Sequence, residues 1–232
     1  MTFVVAIDGP AGSGKGSITK LVGEKLNLIN IDTGAMYRSV TLEVIRKNIK
    51  LDEIEKISDL LDNIKLDFKK DEDIMRFYLN DEEVTEEIRS KEVNEIVSQV
   101  SHIPVVRTKM VNLQRKIAEG KRVIMEGRDI GTNVFPNADV KIYLDASAEE
   151  RANRRYKQNL EKGIDVPYEE VLQNVIFRDN SDKTSSVAPL KMAEDAVLVD
   201  STNMTIEEVQ NKIIEIINSK LRNGVKWWIY LE

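Results

Sequence analysis

The chain has 232 residues, with 34 Lys or Arg against 40 Asp or Glu, so it carries a net charge of −6. That balance argues against a protein whose main task is gripping nucleic acid or an anionic membrane, yet it leaves room for a small basic pocket around one phosphorylated ligand. Cysteine is absent and His102 is the lone histidine. Disulfides, thiolate chemistry and Cys-based zinc sites are excluded, and a His cluster or Ser-His-Asp triad lacks its raw material. No apolar run approaches the roughly 18 residues that a bilayer span needs, and Met1 to Asp8 has no basic leader region. The expectation is a soluble cytoplasmic protein built on one large domain with a small inserted one.

Phe3-Val4-Val5-Ala6-Ile7-Asp8 is an unalternating apolar run that ends at Gly9, the pattern of a strand covered on both faces of a parallel sheet. A glycine-rich turn follows, then Ile18, Leu21, Val22 and Leu26 at helical spacing. Leu28 to Asp32 reads as a second strand, Ala35 to about Lys47 and Leu51 to Ile64 as helices. Between Lys65 and Val84 the character changes to short strand-like runs with Asn80-Asp81 as a hairpin turn. Helices are expected over Thr85 to His102, and another from Pro104, a favoured first helical residue, to Gly120. Arg122 to Met125, Val140 to Leu144 and Ala196 to Val199 read as strands. Ser147-Ala148-Glu149-Glu150 and Thr205-Ile206-Glu207-Glu208 read as capping boxes. Residues 157–189 are polar, with the composition of a mobile lid. The apolar segment Val225 to Leu231, with Trp227 and Trp228, reads as one that docks on the body or on a partner. The resulting fold class is α/β: a P-loop NTPase-type parallel sheet flanked by helices, with a small inserted antiparallel sheet and a lid. The expected domains are a core of 1–64 and 85–232, an insert of 65–84 on the substrate side, and a lid of 157–189 within the core. In such sheets ligands bind beyond the carboxyl ends of the strands.

Gly9-Pro10-Ala11-Gly12-Ser13-Gly14-Lys15 matches G-x-x-x-x-G-K. Its glycines turn successive backbone N–H groups around a phosphate, the following helix adds its positive dipole end, and Lys15 reaches the β- and γ-phosphates. Gly16 stands where a strict Walker A motif has Ser or Thr, so Ser17 is the candidate magnesium-side hydroxyl. The plain alternative, a flexible turn with a surface lysine, is disfavoured by the strand before it and the amphipathic helix after it. GTPase and protein-kinase motifs are missing.

With the P-loop through Ser17, Asp32-Thr33-Gly34-Ala35-Met36-Tyr37-Arg38, Glu126-Gly127-Arg128-Asp129-Ile130-Gly131-Thr132 and Val187-Ala188-Pro189-Leu190 taken in order, the chain resembles the bacterial cytidylate kinases over almost its whole length. That resemblance implies transfer of the γ-phosphoryl group of ATP to CMP or dCMP with Mg²⁺. It implies that Thr33, Tyr37 and Arg38 line the monophosphate pocket and that Arg38 and Arg128 hold the CMP phosphate. It implies that Ser98, Arg107 and Asp129 read the cytosine edge and that Arg178 and Asp182 lie near the ribose. Of Arg151, Arg154 and Arg155, on an arginine-rich helix leading into the lid, some reach ATP phosphates, with Arg154 the named candidate. The family's lid arginine, three residues after the ribose aspartate, is replaced by Ser185. Lys183 and Lys191 offer charge but not the planar two-point grip of a guanidinium.

The residue types suit the chemistry. Phosphoryl transfer asks for two phosphates in line and for neutralised charge, and arginine fits phosphate oxygens bidentately. A CMP phosphate oxygen is already ionised, so no histidine base is needed. Lys15, Arg128 and Asp129 are the catalytic candidates. Glu126 ends a Walker-B-like strand and is a candidate, with Ser17, for Mg²⁺ held through water; Asp8 is a weaker one. Asp129 can accept from cytosine N4, while Arg107 and Ser98 donate. The alternatives are plain: Arg38, Arg107 and Arg128 as surface charges, Asp129 as a turn cap, and Arg178 and Asp182 as part of a solvated run. His102 reads as a structural spacer. A kinase for another acceptor and a nucleotide-binding module without turnover are the rival functions. The expected partners are ATP and CMP or dCMP, with no nucleic acid or membrane, and the chain is expected to be monomeric.

Overall fold

All six residues of β1 (Phe3–Asp8) are buried, as a strand covered on both faces requires. The computed structural model describes residues 2–71, 74–161 and 163–223. It divides into two compact units, Met1–Ile31 with Ala118–Glu232, and Asp32–Ile117.

In the first unit β1 is the middle strand of a five-stranded sheet in the order β2-β6-β1-β7-β8, where β2 is Ile29–Asp32, β6 Arg122–Gly127, β7 Val140–Asp145 and β8 Val197–Asp200. β1 runs parallel to both β6 and β7, and β7 runs parallel to β8. The register pairs Ile7 with Glu126 and Asp8 with both Gly127 and Tyr143. The turn after β1 and the turn after β6 therefore leave the sheet side by side, at the carboxyl end. Helices α1 (Lys15–Leu26) and α8 (Ile206–Asn223) bring Ile18, Val22, Val209, Ile213 and Ile217 onto Phe3, Val5, Ile7, Ile142 and Leu144 in one apolar core. Each fully buried side chain of this kind contributes about 1.5–3 kcal/mol. Helix α8 opens with a complete capping box: Glu208 N–H donates to Thr205 Oγ1 at 3.2 Å and Thr205 N–H to Glu208 Oε2 at 2.8 Å.

The second unit holds α2 (Thr33–Arg46), α3 (Ile54–Asn63), the strands β3 (Leu66–Asp71), β4 (Ile74–Leu79) and β5 (Glu82–Glu83), then α4 (Lys91–Ser101) and most of α5 (Pro104–Ala118). The strands form the expected small antiparallel sheet. Asn80 and Asp81 have φ of 50° and 69°, the left-handed pair that a type I′ hairpin turn demands. Phe77, Leu79, Val84, Ile88 and Val93 pack with Ala35 and Leu42 of α2 as a core of their own.

Two stretches take a form that the sequence leaves open. Thr85 to His102 is not one helical run: a 3₁₀ turn at Glu87–Arg89 precedes α4, which restarts at Ser90 because its Oγ accepts from Val93 N–H at 3.3 Å. Residues 157–189 are mostly helical, with α6 (Ala148–Glu161) running into them and α7 (Tyr168–Thr184) filling their middle. α7 buries only Val171 and Asp179, so an ion pair stands where an apolar seam would normally be. The segment 224–232, with Trp227 and Trp228, lies outside the described residues. Among the described residues no helix is long and apolar enough to cross a membrane.

Candidate active site

In the loop between β1 and α1, Gly9 has φ +154°, and a Cβ there would stand 2.0 Å from the Leu144 carbonyl oxygen of β7. Only glycine lets the loop leave the sheet so closely. The loop's carbonyls are then taken up by cations. Lys15 Nζ donates to Gly9 O at 2.8 Å and Pro10 O at 2.7 Å, and lies 3.4 Å from Ser13 Oγ. From α6, Arg151 Nη1 donates to Ala11 O at 3.0 Å, and Arg154 Nη1 reaches Ser13 O at 3.4 Å. With its carbonyls captured, the loop has its amides left for an anion. Gly12 and Gly14 complete the turn, Gly14 as the N-cap of α1 with φ 90°, and Gly16 lies in the first turn of that helix. Ser17 follows on the exposed side of that helix.

Lys15 is 5% exposed. Burial and the neighbouring Arg128 charge draw its ammonium well below the usual lysine range, and Glu126, Asp8 and Asp182 pull the other way. An ammonium disfavoured by burial and by a neighbouring guanidinium is stabilised when an anion arrives beside it. Asp8 sits at the other edge of this cluster. Its Oδ1 accepts from Ile130 N–H and its Oδ2 from Gly131 N–H, both at 2.7 Å. Burial nevertheless pushes its carboxyl up to about 6. The last residue of β1 thus pins the turn that carries Arg128 and Asp129. That role was open to the sequence only as an acidic residue at a strand end.

Arg128 Nε donates to Asp182 Oδ2 of α7 at 2.8 Å. This brings together two candidates that lie 54 positions apart. Asp129 is buried, and its Oδ2 accepts from Asn133 Nδ2 at 2.9 Å. Its main-chain carbonyl accepts from the amides of Asn133 and Val134, and its side chain makes no cap hydrogen bond to the turn that follows. Arg178 lies one turn before Asp182 on α7, half-buried. Arg154 also donates from Nη2 to Ser201 O at 2.7 Å and from Nε to Glu150 Oε1 at 2.8 Å.

A divalent cation finds oxygen donors here. Glu126 is 8% exposed, and its Oε1 stands 3.1 Å from where a Cβ on Gly16 would be. The carboxylate therefore borders the space that a Walker A side chain after Lys15 would enter. Among the described residues no group of three or more His, Cys, Asp or Glu is gathered as a metal cage. A Mg²⁺ ion keeps several waters and takes one or two carboxylates.

The second unit gathers a set of its own at the start of α2. Asp32 is the N-cap. Its Oδ1 accepts from Ala35 N–H at 2.8 Å, while its Oδ2 holds Arg38 Nη2 at 2.9 Å. Arg38 folds back over Gly34, where a Cβ would stand 3.0 Å from its Nη1, and its Nε is buried with no hydrogen-bond partner. A buried guanidinium N–H left in that condition is costly unless an acceptor arrives. Thr33, in the first turn of α2, and Tyr37, one turn on, are both buried. Arg107 of α5 is 8% exposed, with Cζ 5.7 Å from the centre of the Tyr37 ring. Ser98 is half-buried on α4.

Comparison with known proteins accords with this geometry. Residues 5–219 match the family described as cytidylate kinase. The chain is 53% identical over 211 residues to the cytidylate kinase of Fusobacterium nucleatum, covering 91% of this chain and 95% of that one. It is 44% identical over 218 residues to the cytidylate kinase of Bacillus subtilis, covering 94% and 97%. Among solved structures, a gluconokinase from Sinorhizobium meliloti 1021 superposes with a TM-score of 0.50 at 13% identity, covering 96% of this chain and 95% of that one. The shikimate kinase of Bacteroides thetaiotaomicron gives 0.50 at 12%, covering 94% and 99%. At such identities these two speak for the fold alone. With a glycine-rich phosphate loop on a parallel sheet, a buried lysine at its heart and close relatives along nearly the full length, the chain belongs to the cytidylate kinase family and is a nucleoside monophosphate kinase.

Proposed function

We propose that the chain transfers the γ-phosphoryl group of ATP to CMP and dCMP through the residues assembled above, yielding ADP with CDP or dCDP. The observation that carries the assignment of roles is the loop itself, with its carbonyls taken by Lys15, Arg151 and Arg154. Its amides then cradle the ATP phosphates, and Lys15 turns from Gly9 O and Pro10 O to the β- and γ-oxygens. Arg38 and Arg128 hold the phosphate of the acceptor, each already oriented by a carboxylate, Asp32 and Asp182. Arg178 and Asp182 serve its ribose. Glu126 and Ser17 would hold Mg²⁺, which when bound neutralises charge on the phosphate oxygens. The acceptor oxygen is anionic at neutral pH, so the residues need only align it and offset charge. The α6–α7 hairpin acts as the lid that excludes water from the reacting phosphates. The chain works in this reading as a monomer in the cytoplasm.

The base is chosen by hydrogen bonding. Asp129 accepts from cytosine N4 while Ser98 and Arg107 donate to its acceptors. A uracil carbonyl facing Asp129 leaves a buried polar group unpaired, at a cost of about 1–3 kcal/mol. A coupled ADP-release assay with a panel of monophosphates tests this. CMP and dCMP are expected to turn over with kcat/KM roughly 10- to 100-fold above UMP. Equal use of UMP would remove the base-reading roles, and ATP hydrolysis indifferent to any acceptor would remove the kinase reading.

A further inference from the structure

Arg151 is an arginine of the lid-entry helix that makes four hydrogen bonds inside the protein. It is 3% exposed. Nε donates to Ala146 O at 2.9 Å, Nη1 to Ala11 O of the phosphate loop at 3.0 Å, and Nη1 and Nη2 grip Asp179 Oδ1 and Oδ2 at 2.8 and 2.5 Å. Asp179 is 9% exposed and lies on α7 between Arg178 and Asp182. One guanidinium therefore ties the backbone of the loop to the helix that carries two acceptor-side candidates. Apolar packing does little to fix α7 in rotation, since its only other buried residue is Val171, and the Asp182 end is held separately by Arg128. Near its start, Tyr168 meets Tyr156 edge to face at 6.0 Å between ring centres, about four turns away from Asp182.

We propose that Arg151 and Asp179 form a positioning pair that sets the pose of α7 against the phosphate loop, and so the aim of Arg178 and Asp182 at the acceptor nucleotide. The proposal rests on the assignment of CMP as acceptor. It makes an asymmetric claim. Asp179 acts on α7 only, because without it Arg151 still holds Ala11 O and Ala146 O. Arg151 acts on both the loop and α7.

Steady-state kinetics on the full chain, with each nucleotide varied in turn, read the difference. Wild-type protein is assayed first with CMP; no turnover there defeats the acceptor assignment and not the pairing. In Asp179→Asn the KM for CMP is expected to rise about 10-fold and kcat to fall, as for a displacement of about an ångström at a reacting centre, while the KM for ATP stays within about twofold. In Arg151→Lys both KM values are expected to rise, because a lysine cannot span a carboxylate and two carbonyls at once. Should Asp179→Asn not fold, Asp179→Glu keeps the buried charge pair while displacing α7, and carries the same CMP-selective signature. A lowered melting temperature with both KM values and kcat unchanged well below it would overturn the proposal. So would an Asp179 variant that weakens ATP as much as CMP.

Discussion

Replacing Arg128 by alanine is expected to lower kcat with CMP by about 10³-fold while ATP binding stays within about threefold, in line with the loss of a charge-stabilising donor at a transferring phosphate. The reason lies in what the side chain touches. Its Nε is fixed by Asp182 of α7 at 2.8 Å, and its charge is felt by the buried ammonium of Lys15. Removing it takes one cation from the phosphates and frees α7 at the Asp182 end. The phosphate loop keeps the contacts of Lys15, Arg151 and Arg154, so ATP still finds its cradle. Stability should fall as well, by about 1–3 kcal/mol, because the largely buried Asp182 carboxylate loses its partner. Kinetics are therefore compared well below both melting temperatures, with ATP binding measured by calorimetry. Arg128→Lys should fall between the two, since it restores charge without the planar fork. An alanine variant with turnover near that of the wild type would strip Arg128 of its role, and one that loses ATP affinity in step with kcat would move it to the donor side.

The second large effect is a pH dependence of folding stability centred on Asp8. Its carboxyl is raised from 3.8 to about 6, chiefly by burial. A raised acid holds its proton longer in the folded state than in the unfolded one. Stability from this group is therefore greatest below 3.8 and is lost as pH climbs to about 6, and the gap of about two pH units corresponds to roughly 3 kcal/mol. Lys15 is displaced downward, which gives the opposite sign on the alkaline side: stability returns as pH rises from its depressed folded value toward the ordinary 10.5. Urea unfolding of the wild type and of Asp8→Asn across pH 4 to 7 isolates the first term. The variant should gain about 3 kcal/mol relative to the wild type over that interval. Its amide replaces one of the two oxygens that hold Ile130 and Gly131, so kcat should drop while the stability curve flattens. Parallel curves for the two proteins would show that the charge of Asp8 is not resisted by the fold.

Both effects arise from residues whose types were legible and whose partners were not. The run Phe3 to Asp8, the glycine-rich loop and Lys15 announced strand, loop and helix because each is a local matter: an unbroken apolar run, left-handed glycines, an apolar stripe at helical spacing. Asn80-Asp81 announced its hairpin for the same reason, by tolerating positive φ. Where a boundary depends on a single cap, as at Ser90, the sequence announces helix without announcing where it restarts. Where burial is carried by charge instead of carbon, as in α7, a composition poor in apolar residues leaves the helix itself unannounced.

What the chain determined by itself is the order of strands and helices and the chemistry on offer: a phosphate loop, arginines, acids at strand ends, no thiol and a single imidazole. Only the tertiary structure decided which cation faces which carboxylate. Asp8 holds the turn after β6 because the register pairs Asp8 with Gly127. Asp182 holds Arg128, and Asp179 holds Arg151, across 54 and 28 positions. Hydrogen bonds and ion pairs are short-ranged, and separation along the chain carries no information about separation in space until the sheet has closed and the helices have packed on it.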